Sequence, residues 1–150
     1  MKTHTNLVAV SGSLNVQADF KAPKLISAGS LYVQADFKAP KLETVSGYLN
    51  VQADFKAPKL ISAGSLYIQA DFQAPKLETV SGYLYVQADF KAPKLISAGY
   101  LYVQADFKAP KLISAGSLYV QADFKAPKLI SAGYLNVQAS GKLTAPLLKR

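Results

Sequence analysis

Leu31-Tyr32-Val33-Gln34-Ala35-Asp36-Phe37-Lys38-Ala39-Pro40-Lys41-Leu42 alternates apolar and polar side chains without a slip from Leu31 to Ala39, and then meets a proline. A period of two belongs to a β-strand, whose successive side chains point to opposite faces. Leu31, Val33, Ala35, Phe37 and Ala39 are therefore expected inside, with Tyr32, Gln34, Asp36 and Lys38 in solvent. The stretch also recurs. Val-Gln-Ala-Asp-Phe-Lys-Ala-Pro-Lys-Leu begins at Val16, Val33, Val51, Val86, Val103 and Val120, and at Ile68 in a form carrying Gln73, at intervals of 17 or 18 residues. Two connecting segments account for the alternation: Leu25-Ile26-Ser27-Ala28-Gly29-Ser30 in short units and Leu42-Glu43-Thr44-Val45-Ser46-Gly47-Tyr48 in long ones.

A unit of this length cannot hold a helix pair, which takes more than about 30 residues, or the strand and helix of a leucine-rich repeat, which takes about 20 or more. It can hold one turn of a β-coil. The predicted fold class is all-β: a single β-solenoid (β-helix) of about eight rungs, on the order of 40 Å tall at the usual spacing between strands. Proline recurs once per unit (Pro23, Pro40, Pro58, Pro75, Pro93, Pro110, Pro127) and, lacking a donor, marks a corner. The glycine column from Gly12 to Gly133 reads as a second corner or a bulge. Each unit is expected to make a longer strand, a proline corner and a shorter strand around Lys-Leu, closing a flattened or triangular rung. The missing hexapeptide signature favours a right-handed coil. Residues 1–6 read as an N-terminal tail and 7–150 as the repeat domain, in which the last rung, 135–150, is atypical: Leu143 stands where phenylalanine is expected and Leu147 where lysine is.

The Leu-x-x-Val-x-Gly-x-Leu-x-Val pattern of Leu42 to Val51 resembles the strand portion of bacterial leucine-rich and related solenoid repeats. The Ala-Pro-Lys-Leu stretch is similar to short repeats of bacterial or phage origin. The resemblance implies the solenoid and carries no functional residue with it. The near-identity of the units points to recent duplication or to deliberate idealisation.

Function is less legible. With 150 residues, half of them apolar, the chain suits one packed domain and not a disordered segment. No run is long enough to span a membrane as a helix, and Leu7-Val8-Ala9-Val10 is too short for a signal-peptide core, which favours a cytoplasmic location. The chain has no cysteine and a single histidine, His4, so neither a zinc ligand set nor a Ser-His-Asp arrangement can be assembled, and its glycines do not form a phosphate loop. The expectation is a non-enzymatic protein with no catalytic residue, no metal site and no cofactor.

Three surface columns are candidates for interaction. Aspartates from Asp19 to Asp123 would repel by roughly 0.8 kcal/mol per neighbouring pair in water, offset by lysines two positions on, which makes a charge-compensated face. A second lysine column, Lys24, Lys41, Lys59, Lys76, Lys94, Lys111 and Lys128, has few acidic neighbours and supplies most of the net charge of +8. It reads as a solubilising ridge or as a binding ridge for an anionic polymer such as nucleic acid or acidic glycan. Tyrosines flank the leucine of Gly-x-Leu-x-Val, most densely at Tyr83, Tyr85, Tyr100 and Tyr102. They fit cross-strand stabilisation, a protein interface, or stacking on sugars or bases. Because neither end carries a capping helix, the leading expectation is a structural or scaffold protein that self-associates, as a dimer or head to tail, through its ends, where Leu147 and Leu148 lie, or through the tyrosine strip.

Overall fold

The computed structural model describes residues 2–149, and among them it contains strands, turns and bends but no helix. Eight long strands form one parallel sheet in strict chain order. They are β2 (Ala9–Val16), β4 (Ser27–Val33), β6 (Thr44–Val51), β8 (Ser62–Ile68), β10 (Thr79–Val86), β12 (Ser97–Val103), β14 (Ser114–Val120) and β16 (Ser131–Val137). Between them come short strands: β1 (Lys2–Thr3), β3 (Phe20–Lys21), β5 (Phe37–Lys38), β7 (Phe55–Lys56), β9 (Phe72–Gln73), β11 (Phe90–Lys91), β13 (Phe107–Lys108), β15 (Asp123–Lys125) and β17 (Lys142–Thr144). The molecule is a β-solenoid of about eight turns.

The register stacks like on like: Leu101 pairs with Leu118, Val103 with Val120 and Phe107 with Phe124. The alternation read from the sequence holds for side-chain direction, since Leu31, Val33, Phe37 and Ala39 are buried whereas Gln34, Asp36 and Lys38 are exposed. It does not hold for strand length. Residues 34–36 form a bend that separates β4 from β5, and the in-out pattern passes through that bend unbroken. The shorter strand expected around Lys-Leu is instead a turn, closed by the Leu25 N–H donating to the Ala22 carbonyl at 3.2 Å and by the Leu42 N–H donating to Ala39 at 3.2 Å. Proline fits the second position of such a turn, where its fixed φ is already correct. The short strand of each rung is the Phe-Lys pair upstream.

The eight glycines of the column from Gly12 to Gly133 lie within the long strands, and none has a positive φ among the described residues. They answer to close approach. A Cβ on Gly99 would stand 2.5 Å from the Ser81 carbonyl oxygen and 2.7 Å from that of Gly82, so only glycine lets the rungs meet there. A register shift, the expected bulge, occurs in each pairing that includes one of the eight-residue strands β2, β6 and β10. It is absent where the seven-residue strands β12, β14 and β16 pair with one another.

The core is a set of vertical columns. Phenylalanine rings stack from Phe20 to Phe124 with centroids 5.2 to 5.8 Å apart. Leucine columns such as Leu31, Leu49 and Leu66 are fully enclosed. Each such residue contributes roughly 1.5 to 3 kcal/mol through burial. The opening segment joins this stack: β1 pairs with β3, and the His4 ring lies on Phe20 at 4.9 Å.

Candidate interaction surfaces

The outward face of the long-strand sheet carries the tyrosines. Parallel in-register pairing sets Tyr67, Tyr85, Tyr102 and Tyr119 one above another, with ring centroids 4.9, 4.6 and 4.6 Å apart and planes within 12°. Tyr83 and Tyr100 stack beside them at 4.8 Å. Tyr83, Tyr85, Tyr100 and Tyr102 therefore come together as one cluster. Because each ring covers its neighbour's face, the surface presents ring edges and hydroxyls. A sugar or base has no free face to stack on except at the ends of the column. Crowding shows in the acidities: burial first, then charge repulsion between neighbouring phenolates, raises Tyr67, Tyr85, Tyr102 and Tyr119 above the ordinary value of 10.0. Alongside, the Gln87 amide donates to Gln104 at 2.8 Å.

The place between the glycine and the leucine of Gly-x-Leu-x-Val holds serine in some rungs and tyrosine in others, and two of its serines have a structural task. Ser30 Oγ accepts the Tyr48 N–H at 3.2 Å, and Ser65 Oγ accepts the Tyr83 N–H at 3.1 Å. In both cases a short rung lies beneath a long one, and the serine satisfies a backbone donor that the register shift has freed. The sequence does signal this pairing, through serine preceding each long unit's Gly-Tyr by 18 residues, but only once the register is known.

The lysine ridge lies elsewhere. All seven ridge lysines are exposed and occupy the third position of the proline turns. About six residues of chain, on the order of 20 Å if extended, separate each from the tyrosine face. Between the two runs a column not recognised from the sequence, set by backbone bonds such as Ile113 N–H to the Ile96 carbonyl and Ile130 N–H to that of Ile113. Ile96, Ile113 and Ile130 stand side by side, exposed by 39, 44 and 41%, whereas Glu43 and Glu78 interrupt the same column in the alternating half. The signal was the Leu-Ile versus Leu-Glu dipeptide of the two unit types.

The short-strand side is creased by two shallow troughs, of about 570 and about 560 Å3. The first is lined by Asp89, Asp106 and Asp123 against Lys91, Lys108 and Lys125, and the second by Asp36, Asp54 and Asp71 against Lys38 and Lys56. Both are close to charge-balanced, unlike the lysine ridge.

At the ends, β2 and β16 are the outer strands of the long sheet, and neither outer edge has a strand partner among the described residues. Core columns emerge there: Val137 is 39% exposed where Val103 and Val120 are fully buried, and Leu14 and Leu135 are half-buried. A concavity of about 520 Å3, lined by Ala132, Leu135, Val137 and Leu148, opens on the C-terminal end. Leu148 packs into this end, and Leu147 is 55% exposed on the last turn, away from the tyrosine cluster.

Comparison with protein-family models, curated proteins and solved structures gives no match. No helix among the described residues is long and apolar enough to cross a membrane.

Proposed function

We propose that this chain is a non-enzymatic structural repeat protein that associates with further copies of itself through the ends of its solenoid. The observation that carries the reading is the pair of open strand edges on β2 and β16, each beside core residues that are half-exposed instead of enclosed. An edge strand offers a row of unpaired N–H and C=O groups, and burying apolar columns beside it adds a hydrophobic drive. The tyrosine strip is a weaker contact surface, because its ring faces are already spent on one another. Light scattering behind size exclusion, across a dilution series at low and high salt, tests the reading. Mass that grows with concentration and persists in salt is expected; a monomer at every concentration defeats it.

The second reading is a binding module for an anionic polymer, favoured by seven exposed lysines in one column. It predicts salt-sensitive retention on heparin or nucleic acid, lost when Lys94→Gln and Lys111→Gln are combined. Retention that ignores those substitutions removes the ridge as its cause.

A further inference from the structure

One edge of the coil, where the proline turns lead into the long strands, carries two outward columns side by side. Lys94, Lys111 and Lys128 form one and Ile96, Ile113 and Ile130 the other, with Leu95, Leu112 and Leu129 buried between them. We infer that this edge, over the turns entering β12, β14 and β16 and the turn after β17, docks on the surface of an anionic lipid bilayer, with lysines on the headgroups and isoleucines on the apolar layer beneath. The contact uses a different surface from self-association, and it departs from the anionic-polymer reading in requiring the isoleucines.

The placement follows from the turn. Lysine and isoleucine are two residues apart, about 7 Å on extended backbone, and the leucine between them points inward, so both point out. The Ile113 N–H donates to the Ile96 carbonyl and the Ile130 N–H to that of Ile113, both at 2.9 Å, and the Lys149 N–H continues the column on Ile130 at 3.0 Å. The last turn therefore keeps the pair with its order exchanged. Leu147, 55% exposed, ends the lysine column, and Lys149, also exposed, ends the isoleucine column. Four successive turns thus each offer one cation and one exposed apolar side chain, and neither column holds a carboxylate there. Successive turns are one strand spacing apart, so the strip is straight and on the order of 15 Å long.

Charge and apolarity together select the partner. Lysines stacked at that spacing repel one another, and the aspartates of the nearby trough already face Lys91, Lys108 and Lys125. An anionic surface relieves the repulsion. A soluble polyanion would do the same but leave the isoleucine methyls in water, whereas an apolar protein groove would cover the isoleucines and desolvate the lysines. A bilayer serves both, because its phosphates lie just above its acyl chains. Flexible lysine stems splay sideways to the phosphates while the isoleucines face the chains. The alternating half bounds the patch: Glu43 and Glu78 occupy the isoleucine column there, each two residues after a ridge lysine, and set a carboxylate where an anionic surface would approach.

Flotation of the full chain with vesicles of phosphatidylcholine, alone or with phosphatidylserine added, tests the contact. Binding is expected only with phosphatidylserine and should weaken as salt rises. Lys111→Gln should lower vesicle affinity about fivefold. Ile113→Ser and Ile130→Ser combined should lower it about tenfold and leave heparin retention unchanged. Lys41→Gln should change it by less than about twofold, since Glu43 offsets that charge. All these side chains are exposed, so thermal unfolding should not move, which separates a lost contact from a lost fold. If the isoleucine variant keeps full vesicle affinity, adsorption is electrostatic alone; the inference fails and the anionic-polymer reading stands. If the chain floats equally well with phosphatidylcholine alone, the lysines play no part and the inference fails. If it floats with neither vesicle, the inference fails whatever heparin shows.

Discussion

The two sides of the coil are held by different means. On the long-strand side, eight strands of seven or eight residues form one uninterrupted ladder, and backbone hydrogen bonds fix the register. On the opposite side the strands are two or three residues long and divide into three separate triplets, β1-β3-β5, β7-β9-β11 and β13-β15-β17. No ladder joins β5 to β7 or β11 to β13, and the two troughs span those gaps. What passes through both gaps is the phenylalanine stack, at 5.4 Å from Phe37 to Phe55 and 5.2 Å from Phe90 to Phe107. One side is aligned by its backbone and the other by its core.

The largest effect should come from breaking the stack. Phe72 is fully enclosed between Phe55 and Phe90, and Phe72→Ala is expected to cost about 3 to 5 kcal/mol in denaturant unfolding. A loss below about 1 kcal/mol would mean that the short side is aligned by something other than its rings. On the long side, Ser65→Ala should cost about 1 kcal/mol, because the Tyr83 N–H loses its acceptor. Ser117→Ala, at the same position below a rung with no register shift, should stay within about 0.5 kcal/mol. Equal losses at the two serines would undo the link between serine and bulge.

The smallest effect concerns alkali. The unfolded chain releases its tyrosine protons near pH 10, and the stacked tyrosines of the folded chain release theirs higher. The folded state therefore holds these protons more tightly. Their contribution is fully present below pH 10 and is lost as pH rises through the raised values. Chemical denaturation between pH 9 and 12 should show this decline, and a combined Tyr85→Phe and Tyr102→Phe variant should flatten part of it. An unchanged slope would mean that the stack does not perturb ionisation.

Side-chain direction was legible from Leu31 to Ala39 because burial alternates there whatever the backbone does. Strand ends were not, since the bend at 34–36 preserves that alternation. The Lys-Leu segment read as a strand because Leu42 is buried, and a buried side chain on a turn leaves the same mark on sequence as one on a strand. The tyrosine cluster was visible because register stacks equivalent positions. The serine acceptors, the isoleucine column and the seat of His4 on Phe20 were not, because each joins residues about one rung apart and needs the alignment of neighbouring rungs before it means anything.

Near-identical rungs create an ambiguity during folding, since a strand displaced by one unit still finds leucine opposite leucine. The pairing of Ser30 with Tyr48 and of Ser65 with Tyr83 works against it as a lock-and-notch key. A slip of one rung sets the notched strand against a neighbour without its key, whereas a slip of two restores the match. The alternating half thereby narrows the misaligned states open to it, and the strands from β12 to β16, equal in length, have only the order of tyrosine, serine and asparagine on their outer face to tell one alignment from the next.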